Sequence, residues 1–158
     1  MTNPDIPSNG SRPTIVKLPV VAALAALAGL TDAVYLIIHH YTAEAVPCGE
    51  GFDCGAVLGS SYAEIAGIPL AAFGAAAYFA AFSLALLAAF GDSRMWKLFG
   101  VQATLMAVVS AWLIYVQHFI IHAWCQYCLL SAATSFTLFL LYVVSIFFYK
   151  STTNRQSI

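Results

Sequence analysis

Charged and apolar positions alternate along this chain on a scale of about twenty residues rather than two or four. Four long runs are almost free of charge: Leu18 to Ile38, Ile68 to Phe90, Leu98 to Ile121 and Tyr127 to Tyr149. The first holds Asp32 as its only charged residue, and the third is polar only at Gln102, Thr104, Ser110, Gln117 and His118. At 1.5 Å per residue a run of this length rises about 31 Å, the thickness of a bilayer's hydrocarbon core. None shows the short alternating pattern of barrel strands. The pattern predicts an all-α membrane protein, a bundle of four transmembrane helices with spans at about 18–38, 68–90, 98–121 and 127–149.

Composition sharpens the picture. Asp, Glu, Lys and Arg make up 8% of the 158 residues and apolar types 61%, where an ordinary soluble domain has about 25% charged residues. One domain is expected, residues 18–149, between tails at 1–17 and 150–158. Arg12 and Lys17 followed by an apolar run and Ala43-Glu44-Ala45 imitate a secretory signal, but the run is too long for a signal core, and the reading of a retained helix is kept. A net charge of -1 without a basic cluster gives no reason to expect nucleic acid.

The six basic residues fix an expected orientation. Arg12 and Lys17, Arg94 and Lys97, and Lys150 and Arg155 flank the spans on one side only, which the positive-inside rule makes the cytoplasm. Both termini are then cytoplasmic, in the cell membrane, and residues 39–67 and 122–126 face outward.

All four cysteines fall on that outer side: Cys48 and Cys54 in the long loop, Cys125 and Cys128 at the start of the last span. On an oxidising face this reads as disulfide chemistry. A CxxC pair in the first turn of a helix shares one face and lies within reach of a disulfide. Cys128 is expected to feel the positive end of the helix dipole, which favours the reactive thiolate. His118, His122, Cys125 and Cys128 also spell a zinc-like spacing, but the helix break between them separates the ligands and leaves Cys48 and Cys54 without a role. No metal is expected. A structural protein whose cysteines brace loops is the other alternative.

The residues Cys48-x5-Cys54, Val57-Leu58, Ser60, Tyr62-Ala63, Gly67-Ile68-Pro69 and Gly74, with Trp124-Cys-Gln-Tyr-Cys128, resemble the vitamin K epoxide reductase family, in particular its stand-alone prokaryotic members, over about residues 18–149. The resemblance implies four helices around a quinone (menaquinone or ubiquinone), capped by the outer loop with a short helix near Ser60 to Ala66. Cys125 and Cys128 would be the quinone-side pair, with Cys128 against the ring. Cys48 and Cys54 would be the shuttle pair, Cys48 meeting a thioredoxin-like (DsbA-like) partner and Cys54 passing electrons to Cys125. Ser60 matches the family's loop hydroxyl. Phe73, Tyr78, Trp112, Tyr115 and Trp124 are candidates for the quinone pocket. Animal members carry a Tyr where this chain has Ala132, so the resemblance implies quinone reduction in support of disulfide formation rather than epoxide reduction. The polar end at Ser151 to Ile158 leads us to expect the partner as a separate protein. Asp32, a carboxyl inside a span, has two readings, proton donor or polar packing.

Overall fold

A computed structural model describes residues 13–42 and 44–155, with side chains from 18 to 147 apart from Ala43. Five α-helices follow the chain: α1 (Pro13–Thr42), α2 (Cys54–Leu58), α3 (Leu70–Ala89), α4 (Ser93–Val116) and α5 (Gln126–Arg155). A single π turn, Gln117–Ile121, continues α4. Four stretches are long and apolar enough to cross a membrane: Leu18–Thr42, Leu70–Ala89, Ser93–Ile121 and Gln126–Phe147. Helical backbone runs past the expected spans into both expected tails, from Pro13 at one end and to Arg155 at the other. Residues 1–12 and 156–158 of those tails lie outside the described residues.

The four long helices form a ring in which α1 packs on α3 and α5, and α4 packs on the same two. Small residues let them approach. Ala22, Ala26 and Ala33 of α1 and Ala81 and Ala85 of α3 are buried in the core with Tyr78, Phe99 and Leu138. In lipid, where tails are as apolar as leucine, such close backbone contact is what holds helices together. Two glycines make room for rings: a Cβ at Gly29 would fall into the Tyr78 ring, and one at Gly100 into that of Tyr142. Large apolar side chains face outward instead, Leu24 at 62% exposure and Val108 at 63%. Apolar surface on this scale needs lipid rather than water.

The loop between α1 and α3 is a small cap. Its short helix is α2, at Cys54–Leu58, and not near Ser60 to Ala66 as expected. Asp53 starts it by accepting the Ala56 N–H at 2.9 Å, the ordinary preference of Asp for an N-cap. The stretch after Ser60 makes a two-residue hairpin instead, Glu64–Ile65 against Ile68–Pro69. Ala66 and Gly67 at its tip both have positive φ, 54° and 78°, as a tight I′ turn requires. Pro69 then opens α3, so the second span begins at Leu70.

Candidate functional site

The cap and the start of α5 meet in a second, separate cluster. Cys54, Val57 and Cys125 are buried in it, with Val46, Cys48, Leu58, Ile121, Tyr127 and Cys128 packed around them. All four cysteines therefore gather at one end of the bundle. Cys48 and Cys54 form a disulfide, with Cα atoms 6.2 Å apart. Cys125 and Cys128 are free thiols, the first buried and the second half-buried.

Hydrogen bonds tie the cap to the CxxC turn. Asp53 N–H donates to the Trp124 carbonyl at 2.9 Å, Gly49 N–H to Gln126 Oε1 at 3.1 Å, and the Tyr127 hydroxyl to the Pro47 carbonyl at 3.1 Å. Gln117 holds the other side. Its buried side chain accepts the Cys125 N–H at 3.0 Å, and its own carbonyl accepts from Ala123 at 3.2 Å. The π turn ends at His122, which takes the left-handed conformation with φ of 55°. Single π turns recur where a helix must re-aim side chains at a functional site. Gln117 was visible in the sequence only as a polar residue inside a span; its part in seating Cys125 comes from the turn, which leaves no mark in the pattern.

Both cysteines of the CxxC turn stand at the N-terminal end of α5. α5 begins at Gln126, so Cys125 stands at its N-cap and Cys128 in its first turn. Cys125 Sγ accepts the Cys128 N–H at 3.4 Å. A hydrogen bond from the Cys128 thiol holds the Cys125 thiol down at about 7, against the opposing effects of burial and of the Asp32 charge. A thiolate at a helix N-cap, receiving backbone and thiol donors, is an activated nucleophile.

Cys128 opens instead on a cavity of about 680 Å³ between the cap, α1, α3, α4 and α5. Phe73, Tyr78 and Ser60 also line it, with Gln102, Gln117, Ser131 and Ser135 as further polar groups. Tyr78 is buried, and its hydroxyl donates to the Ser131 carbonyl at 2.5 Å while lying 3.0 Å from Ser131 Oγ and 2.9 Å from Ser135 Oγ. Ser60 Oγ donates to the Val57 carbonyl at 2.7 Å, closing the end of α2. Tyr115 and Trp124 stand elsewhere. They line a shallow dent on the outer face of α4 with His118 and Phe119, where Tyr115 stacks between Trp112 and Phe119. His118 lies against Trp124 at 5.4 Å between rings, on this dent and away from the buried Cys125. Among the described residues, no three His, Cys, Asp or Glu side chains converge as metal ligands.

The model of the vitamin K epoxide reductase family matches residues 20–143, most of the chain and every residue of this site. The chain belongs to the vitamin K epoxide reductase family. No curated protein matches it in sequence. Family membership makes this multi-pass membrane protein an oxidoreductase, and the quinones used across the family are the acceptors its cavity must be weighed against.

Proposed function

We propose that the protein is a thiol:quinone oxidoreductase that reoxidises a thioredoxin-like, DsbA-like partner outside the cytoplasm and so sustains disulfide formation in exported proteins. The observation that carries this is the packing of Cys54 on Cys125, with Cys128 beside it on the cavity wall. The cavity fits the ring of a menaquinone or ubiquinone: it is of ligand size, mostly apolar, and has a few convergent polar groups.

In this reading Cys48 is attacked by the partner's thiolate, and resolution of the mixed disulfide leaves Cys48 and Cys54 reduced and the partner oxidised. Cys54 thiolate then attacks Cys125 of a Cys125–Cys128 disulfide, forming a Cys54–Cys125 bridge and freeing Cys128 as thiolate. Cys48 resolves that bridge by attacking Cys54, and Cys125 leaves; its low thiol pKa makes it a good leaving group. The end state has Cys48 and Cys54 bonded and the inner pair reduced, the same arrangement of bonds as in this structure. A bound quinone supplies the two-electron acceptor. Cys128, Phe73 and Tyr78 would line its site, and Ser60 would hold the cap above it by fixing the end of α2. Tyr115 and Trp124, on the outer dent, do not line this cavity. The cap lies outside the cytoplasm if the basic residues stay inside.

The test is direct. Purified protein mixed with a reduced thioredoxin-like protein and a short-chain quinone should consume the quinone, with one partner disulfide formed per quinol. Persistence of the quinone, with the Cys48–Cys54 bond resistant to the partner, would leave a protein whose disulfide only braces its loop.

A further inference from the structure

Two buried polar side-chain atoms lack a hydrogen-bond partner among the described residues: Asp32 Oδ2 and His39 Nδ1. Buried polar groups nearly always find a partner, so such exceptions ask for a reason. Both belong to α1. They stand seven residues apart, two turns or about 10.5 Å along the axis, on one face of the helix. Between them on that face is Tyr35, whose ring lies 4.4 Å from that of His39. His39 lines the cavity at the cap end. Asp32 is 8% exposed, one turn beyond Gly29, which seats the Tyr78 ring. It is close enough to interact electrostatically with Tyr78 and with Cys125.

Among the described residues, the helices packed around Asp32 bring no cation to pair with it. α1 packs on α3 and α5, and neither Leu70–Ala89 nor residues 126–147 include a Lys, Arg, Asp or Glu. The titratable groups near it are Tyr78 from α3 and Cys128 from α5 with Cys125 at its start, and on α1 itself Tyr35 and His39, with Tyr127 of α5 against the Tyr35 ring. A carboxyl set inside a span without a counter-charge is expensive and functional by default.

We propose that Asp32 is a proton carrier for oxidation of the inner cysteine pair, loaded along α1 by way of His39 and Tyr35 and discharged through the Tyr78–Ser131–Ser135 hydroxyls. The proposal rests on the thiol:quinone reading above. Forming the Cys125–Cys128 disulfide releases two electrons. With Cys125 already a thiolate, the pair gives up one proton, from Cys128, while conversion of a quinone to its quinol takes two. Asp32 gives the second and is reprotonated from the cap end. Tyr78 lines the cavity and its hydroxyl is hydrogen-bonded to both serines, so it can pass a proton by donating at one side and accepting at the other.

This assignment has a pH signature. Above about pH 7 Cys125 is ionised and the demand on Asp32 is complete; below it, Cys125 brings its own proton. Asp32→Asn should therefore slow quinol formation about 100-fold at pH 8 and far less, relative to wild type, at pH 6. Asp32→Glu should restore most of the rate. Thermal melting of the purified variants checks that the bundle persists. Infrared spectroscopy without any quinone gives a second readout: a protonated-carboxyl C=O band in the wild type that Asp32→Asn removes. His39→Gln should leave the first turnover intact and slow the steady state. An equal loss at both pH values would make Asp32 a packing residue, and a wild type without the Asp32 carboxyl band would overturn the proposal outright. Wild-type protein that forms no quinol at all, but keeps the band, would sink the thiol:quinone reading and the proton role built on it.

Discussion

The two apolar clusters of this molecule are built on opposite principles. The bundle core is a column of alanines and glycines fitted around a few rings, Tyr78, Phe99 and Tyr142, with only scattered side-chain hydrogen bonds such as Trp96 Nε1 to Ser145 Oγ at 2.9 Å. The cap cluster is small. It depends on a disulfide and on hydrogen bonds from Asp53, Gly49 and Tyr127 to the α5 start or from it. The first resists any added atom; the second can come apart and re-form when a few bonds exchange. A relay between two cysteine pairs needs the second kind of structure, held in place by the first.

The largest effect should come from removing the cysteine at the join. Cys125→Ser eliminates both the acceptor for Cys54 and the bond to Cys128, so quinone consumption should fall to the uncatalysed level while the helical circular dichroism stays unchanged. Replacing Cys48 by Ala tests the order of exchange. Without its resolving thiol, the Cys54–Cys125 bridge should accumulate in non-reducing peptide maps. A dominant Cys54–Cys128 bridge would invert the assigned roles.

The core answers to volume rather than chemistry. Gly29→Ala puts a methyl group where the Tyr78 ring already sits, and overpacking of this kind costs about 1–3 kcal/mol. A lowered thermal midpoint is expected, and the Tyr78 hydroxyl would be displaced from Ser131 and Ser135. A midpoint equal to wild type would show that the ring can swing away, and that the core is looser than its contacts imply.

How much of this contrast was legible in the sequence follows from what each cluster is made of. The spans were legible because runs of about twenty residues with at most one charge have few other uses. The meeting of the cysteines at one end was legible because Cys48, Cys54, Cys125 and Cys128 are rare residues at fixed spacing. The faces of the helices were not. Where lipid and core are equally apolar, no polar stripe marks the inward side, so Tyr115 of α4 and Trp124 of the following turn read as pocket walls although they line a dent outside the cavity. The α2 helix did have its signal, Asp53 ahead of Cys-Gly-Ala-Val-Leu, but the resemblance drew the helix later, onto residues whose Ala66 and Gly67 turn back on themselves. Gln117 was legible as polar and nothing more, because its task is set by a π turn.

A smaller effect concerns the cap's acidity. The Cys128 thiol keeps that of Cys125 at about 7 by hydrogen bonding, so the ultraviolet absorbance of the Cys125 thiolate should rise through pH 7. In Cys128→Ala that donor is gone, and the absorbance midpoint should move up toward the ordinary cysteine range. An unmoved midpoint would credit the helix terminus alone.

The smallest effect should come from the one ionic clasp between cap and bundle among the described residues. His40 Nε2 at the end of α1 lies 3.6 Å from Glu64 Oε1 in the hairpin, with the two side chains 30% and 48% exposed. A pair so open to solvent contributes about 0–1 kcal/mol, and only while the histidine carries a proton. Salt screens it further, since the Debye length at physiological ionic strength is about 8 Å. The hairpin has a stronger hold in the Leu70 N–H to Ala63 carbonyl bond at 2.8 Å. Glu64→Gln should thus leave the thermal midpoint of the bundle unchanged and raise amide exchange at Ala63 and Leu70 by no more than about fivefold, the factor equivalent to 1 kcal/mol. Moderate salt should produce the same rise in the wild type and none in the variant. An exchange rate raised a hundredfold would show that the cap hangs on this ion pair, and the contrast between a packed bundle and a bonded cap would have to be redrawn around it.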